Sequence, residues 1–337
     1  MSTYFRPLIN SSASRPDSAL SVAGGQLWFD YVEKLSRDQT TEIIPAHMIP
    51  EIWKERLCAP RPPIAGVAMT VPSIMGILNV TPDSFSDGGQ YQSTDAAIAQ
   101  GSALAQMGAD FIDVGGESTR PGALEIPVEE EIYRIEPVIK ALQGITSAIS
   151  IDTRKAAVAE VALSAGAKLV NDVSGFQFDA KLLPLCAEKS VPVCVMHSQG
   201  LPETMQNNPS YDNIVLDVYD FLHLQIERLV NAGVPRSQII ADPGIGFGKT
   251  MRHNLALLQK ISLFHGLGVA VLLGMSRKGF IGKITGEEDA RNRVIGSVAA
   301  AMVGASQGVQ IFRVHDVKET RQAFDVRQTV QFGDFYG

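Results

Sequence analysis

Cysteine is scarce in this chain of 337 residues: Cys58, Cys186 and Cys194 make an odd set with no CxxC spacing. That excludes a disulfide framework and a thiolate metal cage, and leaves buried, unreactive thiols. Positive charge is not in excess either. A formal net charge of −7 offers no general attraction to nucleic acid or to an anionic membrane, so a bound anion must be met by locally clustered cations. Long hydrophobic runs are missing as well, since the longest small and apolar stretch, VIGSVAAAMVGA at 294–305, is too short to span a bilayer. The opening MSTYFRPLINSSASRPDSAL lacks the charged-then-apolar layout of a signal peptide, and a cytoplasmic protein acting on small molecules is expected.

Two familiar motifs also fail. PGIGFGKT resembles a phosphate-binding loop, but Pro243 stands where that pattern needs glycine, and Lys249 stands where a dinucleotide fingerprint needs its last glycine. His197 and His253 have no third ligand at zinc spacing.

What the chain does have is 45% hydrophobic and 19% charged residues, a composition that packs. It divides near residue 72. Residues 1–72 form an extension of unknown role, expected to be mostly helical or irregular, with helices over WFDYVEKLSRD and MIPEIWKERLC and a proline-rich joint APRPP at 59–63. Residues 73–330 read differently: eight short apolar runs, SIMGILN, ADFIDVGG, AISIDT, AKLVNDVSG, PVCVMH, QIIADPG, VAVLLGMS and VQIFRVHD, alternate with helical patterns such as TDAAIAQGSALAQMG and VEEEIYRIEPVIKALQ. Strands separated by helices pair in parallel and are buried on both faces; eight such units predict an α/β protein of the closed (β/α)8 TIM barrel type rather than an open doubly wound sheet.

The runs end in polar or ionisable residues: Asn79, Gly115 to Arg120, Asp152, Asn171 with Asp172, His197, Asp242, Ser276 to Lys278, and Arg313 with His315. Strand ends leave the core and are often polar for that reason alone, but so many Asp, Lys, Arg and His in succession exceed that expectation. In a barrel these ends share one face, where the βα loops build active sites. Arg313 and His315 lie two apart on a strand and point the same way, so together they can hold an anion. Asp152 and Asp242 place two carboxylates at the same mouth, suited to paired N–H bonds from a planar amidine-like ligand.

GILNVTPDSFSDGG, DVGGESTRPGA, SIDT, NDVSGF, MHSQGLPETMQ, DPGIGFGK, MSRKGFIG and RVHDV stand in the order seen in the dihydropteroate synthase family, which this sequence resembles from about residue 74 to 325. The resemblance implies a pterin-binding (β/α)8 enzyme of folate synthesis. Such an enzyme joins 4-aminobenzoate to (7,8-dihydropterin-6-yl)methyl diphosphate by an SN1-like substitution, and sulfonamides compete with the aminobenzoate. It further implies Asp152, Asn171, Asp242 and Lys278 at the pterin edge and Arg313 on its face; Met196, at a strand end, is by residue type a core side chain that could also floor a flat ligand. Asn79, Arg313 and His315 would meet the diphosphate, with Mg2+ beside Asn79. Thr119, Arg120 and Pro121 would lie near both the aminobenzoate and the diphosphate, with Arg120 among the cations that meet the departing charge; Phe85 and Phe247 would wall the aminobenzoate ring, Ser276 would lie near its carboxylate, and Asp87 would orient cationic partners as its loop closes. A homodimer is implied, and no nucleic-acid or membrane partner. MHSQG departs from the commoner MHMRG-like text, and the N-terminal extension has no counterpart in the motif set. A methyltetrahydrofolate:corrinoid methyltransferase-like barrel or a non-catalytic pterin-binding barrel would share the pterin residues, but neither calls for ArgxHis together with STRPG.

Overall fold

Period-two alternation decides the architecture. In the computed structural model, which describes residues 3–81, 90–118, 122–200 and 204–333, all eight apolar runs are strands. They are β6 (Ser73–Asn79), β7 (Phe111–Gly115), β8 (Ala148–Asp152), β9 (Leu169–Asp172), β10 (Val193–Met196), β11 (Ile239–Asp242), β12 (Ala270–Leu273) and β13 (Ile311–Val314), numbered after five short strands that precede them. They close into one parallel barrel in chain order, β9 pairing β10 and β13 pairing β6. Helices α2 (Gln90–Gln106), α3 (Val128–Ala141), α4 (Ala156–Ser164), α5 (Leu182–Glu188), α6 (Ile214–Asn231), α7 (Met251–Gln259), α8 (Gly279–Thr285), α9 (Val294–Ser306) and α10 (Val317–Phe332) follow the strands, α8 and α9 both after β12. The closed (β/α)8 barrel is therefore the fold.

Alternate residues of each strand serve two cores. Met75, Phe111, Leu169, Cys194, Ile240 and Ile311 point inward and share one buried cluster, whereas Ile74, Ile112, Val170, Val193, Ile239 and Phe312 point outward under the helices. Each fully buried Leu, Ile or Phe contributes about 1.5–3 kcal/mol of transfer free energy, so a one-residue slip in any strand would exchange its two faces at prohibitive cost.

The N-terminal extension differs from the helical expectation over WFDYVEKLSRD. Trp28–Phe29 and Tyr31–Leu35 are strands, β3 and β4; β4 is the centre of an antiparallel sheet between β1 (Tyr4–Pro7) and β5 (Glu42–Pro45), and β3 pairs β2 (Leu20–Ser21). The charged letters suit a helix, but β4 is paired on both edges and buries Val32 and Leu35 in the main hydrophobic core, and that packing overrides local propensity. The second expected helix is present as α1 (Glu51–Cys58). It carries Trp53 onto Tyr219 of α6, ring centroids 5.8 Å apart and nearly parallel. Tyr4 Oη donates to both carboxylate oxygens of Asp220 at 2.8 and 2.9 Å. Arg61 is buried against the carbonyls of Arg56, Ala59, His265 and Val269. Ile64 and Met69 join the inward cluster, so this segment fills the end of the barrel at which the strands begin.

Candidate active site

The alternation that buries Phe111 or Ile311 places a polar side chain one step further up the same inward face. Asp113 follows Phe111, Asn171 follows Leu169, Met196 follows Cys194, Asp242 follows Ile240 and Arg313 follows Ile311, each by two positions; Asp152 and Asn79 lie four beyond Ala148 and Met75. These side chains share the C-terminal mouth, where β6, β7, β8 and β9 align Asn79, Gly115, Asp152 and Asn171 in register. Asp172 has the opposite parity. It faces away from the mouth and accepts from the backbone N–H of Ser174 and Phe176, a structural use of the carboxylate.

Arg313 is the hub. Its Nε donates to Asp113 Oδ2 at 2.6 Å and its Nη2 to Asp152 Oδ2 at 2.7 Å. Burial opposes the guanidinium charge, but Asp113 and Asp152 outweigh it and hold the pKa of Arg313 above its ordinary value. For Asp152 burial wins: with Asp113, Glu131 and Asp172 nearby it overcomes the attraction of Arg313 and pushes the carboxyl up to about 7. Asp152 Oδ1 is buried with no partner among the described residues, as is Asp113 Oδ1. A buried, unpaired acceptor is costly unless a ligand donates to it.

Across the mouth, Asp242 Oδ1 accepts from Gly244 N–H at 2.7 Å, and burial raises its pKa. Gly244 has φ +67°, and a Cβ there would lie 1.9 Å from the His197 carbonyl oxygen, so the turn after β11 requires glycine. Lys278, at the start of α8, donates to the Ile245 carbonyl and lies 4.4 Å from the centre of the Phe247 ring. Burial, against the attraction of Asp242, lowers Lys278 to about 7. Ser276 Oγ accepts from the backbone N–H of His315 at 3.2 Å and lies 3.1 Å from His315 Nδ1. The left-handed Arg277 between Ser276 and Lys278, φ +59°, is anchored by two bonds to Asp316. Met196 is buried in the floor and Asn79 is half-buried at the rim. Phe85, Asp87, Thr119, Arg120 and Pro121 lie outside the described residues.

Two residues of this region escaped the strand-end reading. Asp113 sits inside an apolar run, and its inward parity two places after Phe111 is the signal that would have found it. Lys249 belongs to the failed phosphate-loop pattern. It is buried, with its Nζ 2.8 Å from His197 Nδ1 and donating to the Phe247 and His197 carbonyls, so it secures the DPGIGFG loop from within. Burial drives Lys249 well below its ordinary pKa, and burial together with Lys249 takes His197 down to about 2. No group of three or more His, Cys, Asp or Glu able to hold a metal exists among the described residues, and no described helix is long and apolar enough to cross a membrane.

Charge and buried acceptors are gathered at the end of the barrel where (β/α)8 enzymes carry out their chemistry, and the fold and its mouth define a member of that class. A family model described as pterin binding enzyme matches residues 75–315. The chain is 45% identical over 256 residues to dihydropteroate synthase of Escherichia coli (strain K12), covering 76% of this chain and 90% of that protein. It is 43% identical over 261 residues to that of Haemophilus influenzae, covering 77% and 94%. Among solved structures it resembles Xanthomonas albilineans dihydropteroate synthase with 4-aminobenzoic acid, at 44% identity and a TM-score of 0.75 over 80% of this chain and 97% of that one. It also resembles the Yersinia pestis enzyme in a sulfonamide drug complex, at 45% identity and a TM-score of 0.75 over 79% and 96%. The chain belongs to the dihydropteroate synthase family.

Proposed function

We propose that this enzyme condenses (7,8-dihydropterin-6-yl)methyl diphosphate with 4-aminobenzoate, giving 7,8-dihydropteroate and diphosphate, and that sulfonamides compete with the aminobenzoate. One observation carries the reading: Arg313 is fixed between Asp113 and Asp152 at the mouth, with unpaired buried acceptors beside it. A pterin edge supplies several N–H donors, which Asp152, Asn171 and Asp242 accept, while Lys278 donates to a ring acceptor. Met196 underlies the ring. Arg313 lies against its face and, together with Asn79 and His315, meets the diphosphate. Phe247, Ser276 and the second-loop residues Thr119, Arg120 and Pro121 receive the aminobenzoate, with Phe85 and Asp87 contributed by the first loop.

The bond that breaks joins the pterin methylene carbon to the diphosphate oxygen, which leaves with the electron pair. Cations fixed in advance lower the energy of that developing charge. The methylene cation is delocalised into the pterin ring. The aromatic amine, neutral near pH 7, adds its nitrogen lone pair to the carbon and loses a proton to solvent, so no strong general base is needed. The described donor set fits magnesium only through Asn79: its amide oxygen would hold an Mg2+ that shares the diphosphate charge, the remaining ligands being phosphate oxygens and water.

The protein acts in the cytoplasm as a homodimer in this reading. Ile295 and Val303 of α9 and Val326 and Val330 of α10 are apolar and exposed, and a second copy would cover them. The test of the activity mixes protein, pterin diphosphate and magnesium, with and without 4-aminobenzoate. Diphosphate release that requires aminobenzoate is expected; no release, or release without it, overturns the reading.

A further inference from the structure

Asp113 carries none of the ligand roles above, yet two of the groups that do are bonded to one of its oxygens. Oδ2 accepts Arg313 Nε at 2.6 Å and Asn171 Nδ2 at 3.0 Å. The carboxylate is fully buried at the middle of β7, on the inward face, directly beneath the mouth. An oxygen that already takes a guanidinium N–H is an acceptor, so only the NH2 end of the Asn171 amide can sit against it; the reversed amide would oppose two acceptors at hydrogen-bond distance. Asn171 is itself buried, on the inward face of β9, with β8 between it and β7.

We infer that Asp113 is a positioning residue that fixes the polarity of the pterin pocket: it holds the Asn171 amide so that its oxygen, an acceptor, is left for the ligand, and it sets the plane of the Arg313 guanidinium in the same stroke. This rests on the proposed pterin-binding reading and deepens it. With Asn171 so oriented, the acceptor on β9 stands beside the unpaired Asp152 Oδ1 on β8, two neighbouring acceptors in register. The ligand edge that fits carries adjacent N–H groups, and a ring nitrogen with only a lone pair at either point is rejected, because an unpaired buried acceptor is costlier than a missing bond.

The test alters each of the two side chains. In Asn171→Asp the new carboxylate meets Asp113, and affinity for 6-hydroxymethylpterin, read by calorimetry at pH 8, is expected to fall about a hundredfold. Asp113→Asn is expected to weaken it about tenfold and to raise KM for the pterin diphosphate while leaving KM for 4-aminobenzoate unchanged. An Asp113→Asn protein that binds as wild type, or an Asn171→Asp protein that keeps wild-type affinity, overturns the inference. A ligand-independent measurement separates this from a failure of the pterin reading. The Asn171 side-chain amide protons of 15N-labelled wild type should exchange slowly and those of Asp113→Asn rapidly, whatever the protein binds. Equal exchange in the two sinks the inference even if synthesis is confirmed, and absence of synthesis with unequal exchange sinks only the function.

Discussion

Arg313 and Asp152, 161 positions apart in sequence, are joined by a 2.7 Å bond from Nη2 to Oδ2 across the barrel mouth, and Arg313 reaches Asp113 on β7, one of the two strands between them, with Nε. Removing the cation leaves two buried carboxylates facing one another. Arg313→Ala is expected to abolish diphosphate release and to destabilise the fold by about 3–5 kcal/mol, measured by urea unfolding. Arg313→Lys can serve only one of the two carboxylates and is expected to retain most of the stability but little turnover.

Asp152 and Lys278 both titrate at about 7 in the folded protein, one raised and one lowered by burial. Below that value Asp152 takes up a proton and loses an acceptor; above it Lys278 loses its charge. Pterin affinity is expected to follow a bell-shaped pH profile centred near 7, whose limbs belong to the coupled groups together. Asp152→Asn should remove the acid limb and Lys278→Met the alkaline one, as read by calorimetry. Stability adds a sign. A carboxyl raised from 3.8 to about 7 favours the fold at low pH and loses that contribution as pH rises through 7. Wild type without ligand should therefore fall in melting temperature relative to Asp152→Asn between pH 5 and 8.

Lys278→Ala and Asp242→Ala test the other side of the mouth. Lys278 is held in the folded protein at a depressed pKa by burial, so its loss removes an unfavourable desolvation rather than a support of the fold. Both variants should stay folded by circular dichroism and lose synthesis by at least about a hundredfold. A variant with normal turnover would remove that residue from the site.

The turn at Gly244 and the buried Lys249 hold the loop that carries Ile245 and Phe247 to Lys278. Gly244→Ala drives a Cβ into the His197 carbonyl at positive φ and is expected to cost about 2–4 kcal/mol. Lys249→Met leaves His197 Nδ1 and two carbonyls without their donor. Its predicted mark is a raised KM for both substrates with a modest loss of stability, because the loop is loosened and no reacting group is removed.

The N-terminal extension supports the barrel from the opposite end. Trp53→Ala removes an indole packed on Tyr219 and Phe5 and is expected to cost about 3–5 kcal/mol in denaturant unfolding, with both KM values unchanged.

The sequence by itself determined the barrel, because eight apolar runs at regular intervals have one economical way to bury both faces, and all eight are strands at the expected places. It also determined which letters end each strand, and the family motifs assigned them a chemistry. Tertiary structure alone decided three things. The segment around Tyr31–Leu35 became a strand because its partners, Tyr4–Pro7 and Glu42–Pro45, lie elsewhere in the chain. Asp172 was separated from Asn171 by parity, one turned to the helices and the other to the mouth. Asp113 became the acceptor shared by Arg313 and Asn171, a role that no local pattern carries, because hydrogen-bond direction is set by atoms brought together from β7, β9 and β13 only when the barrel closes.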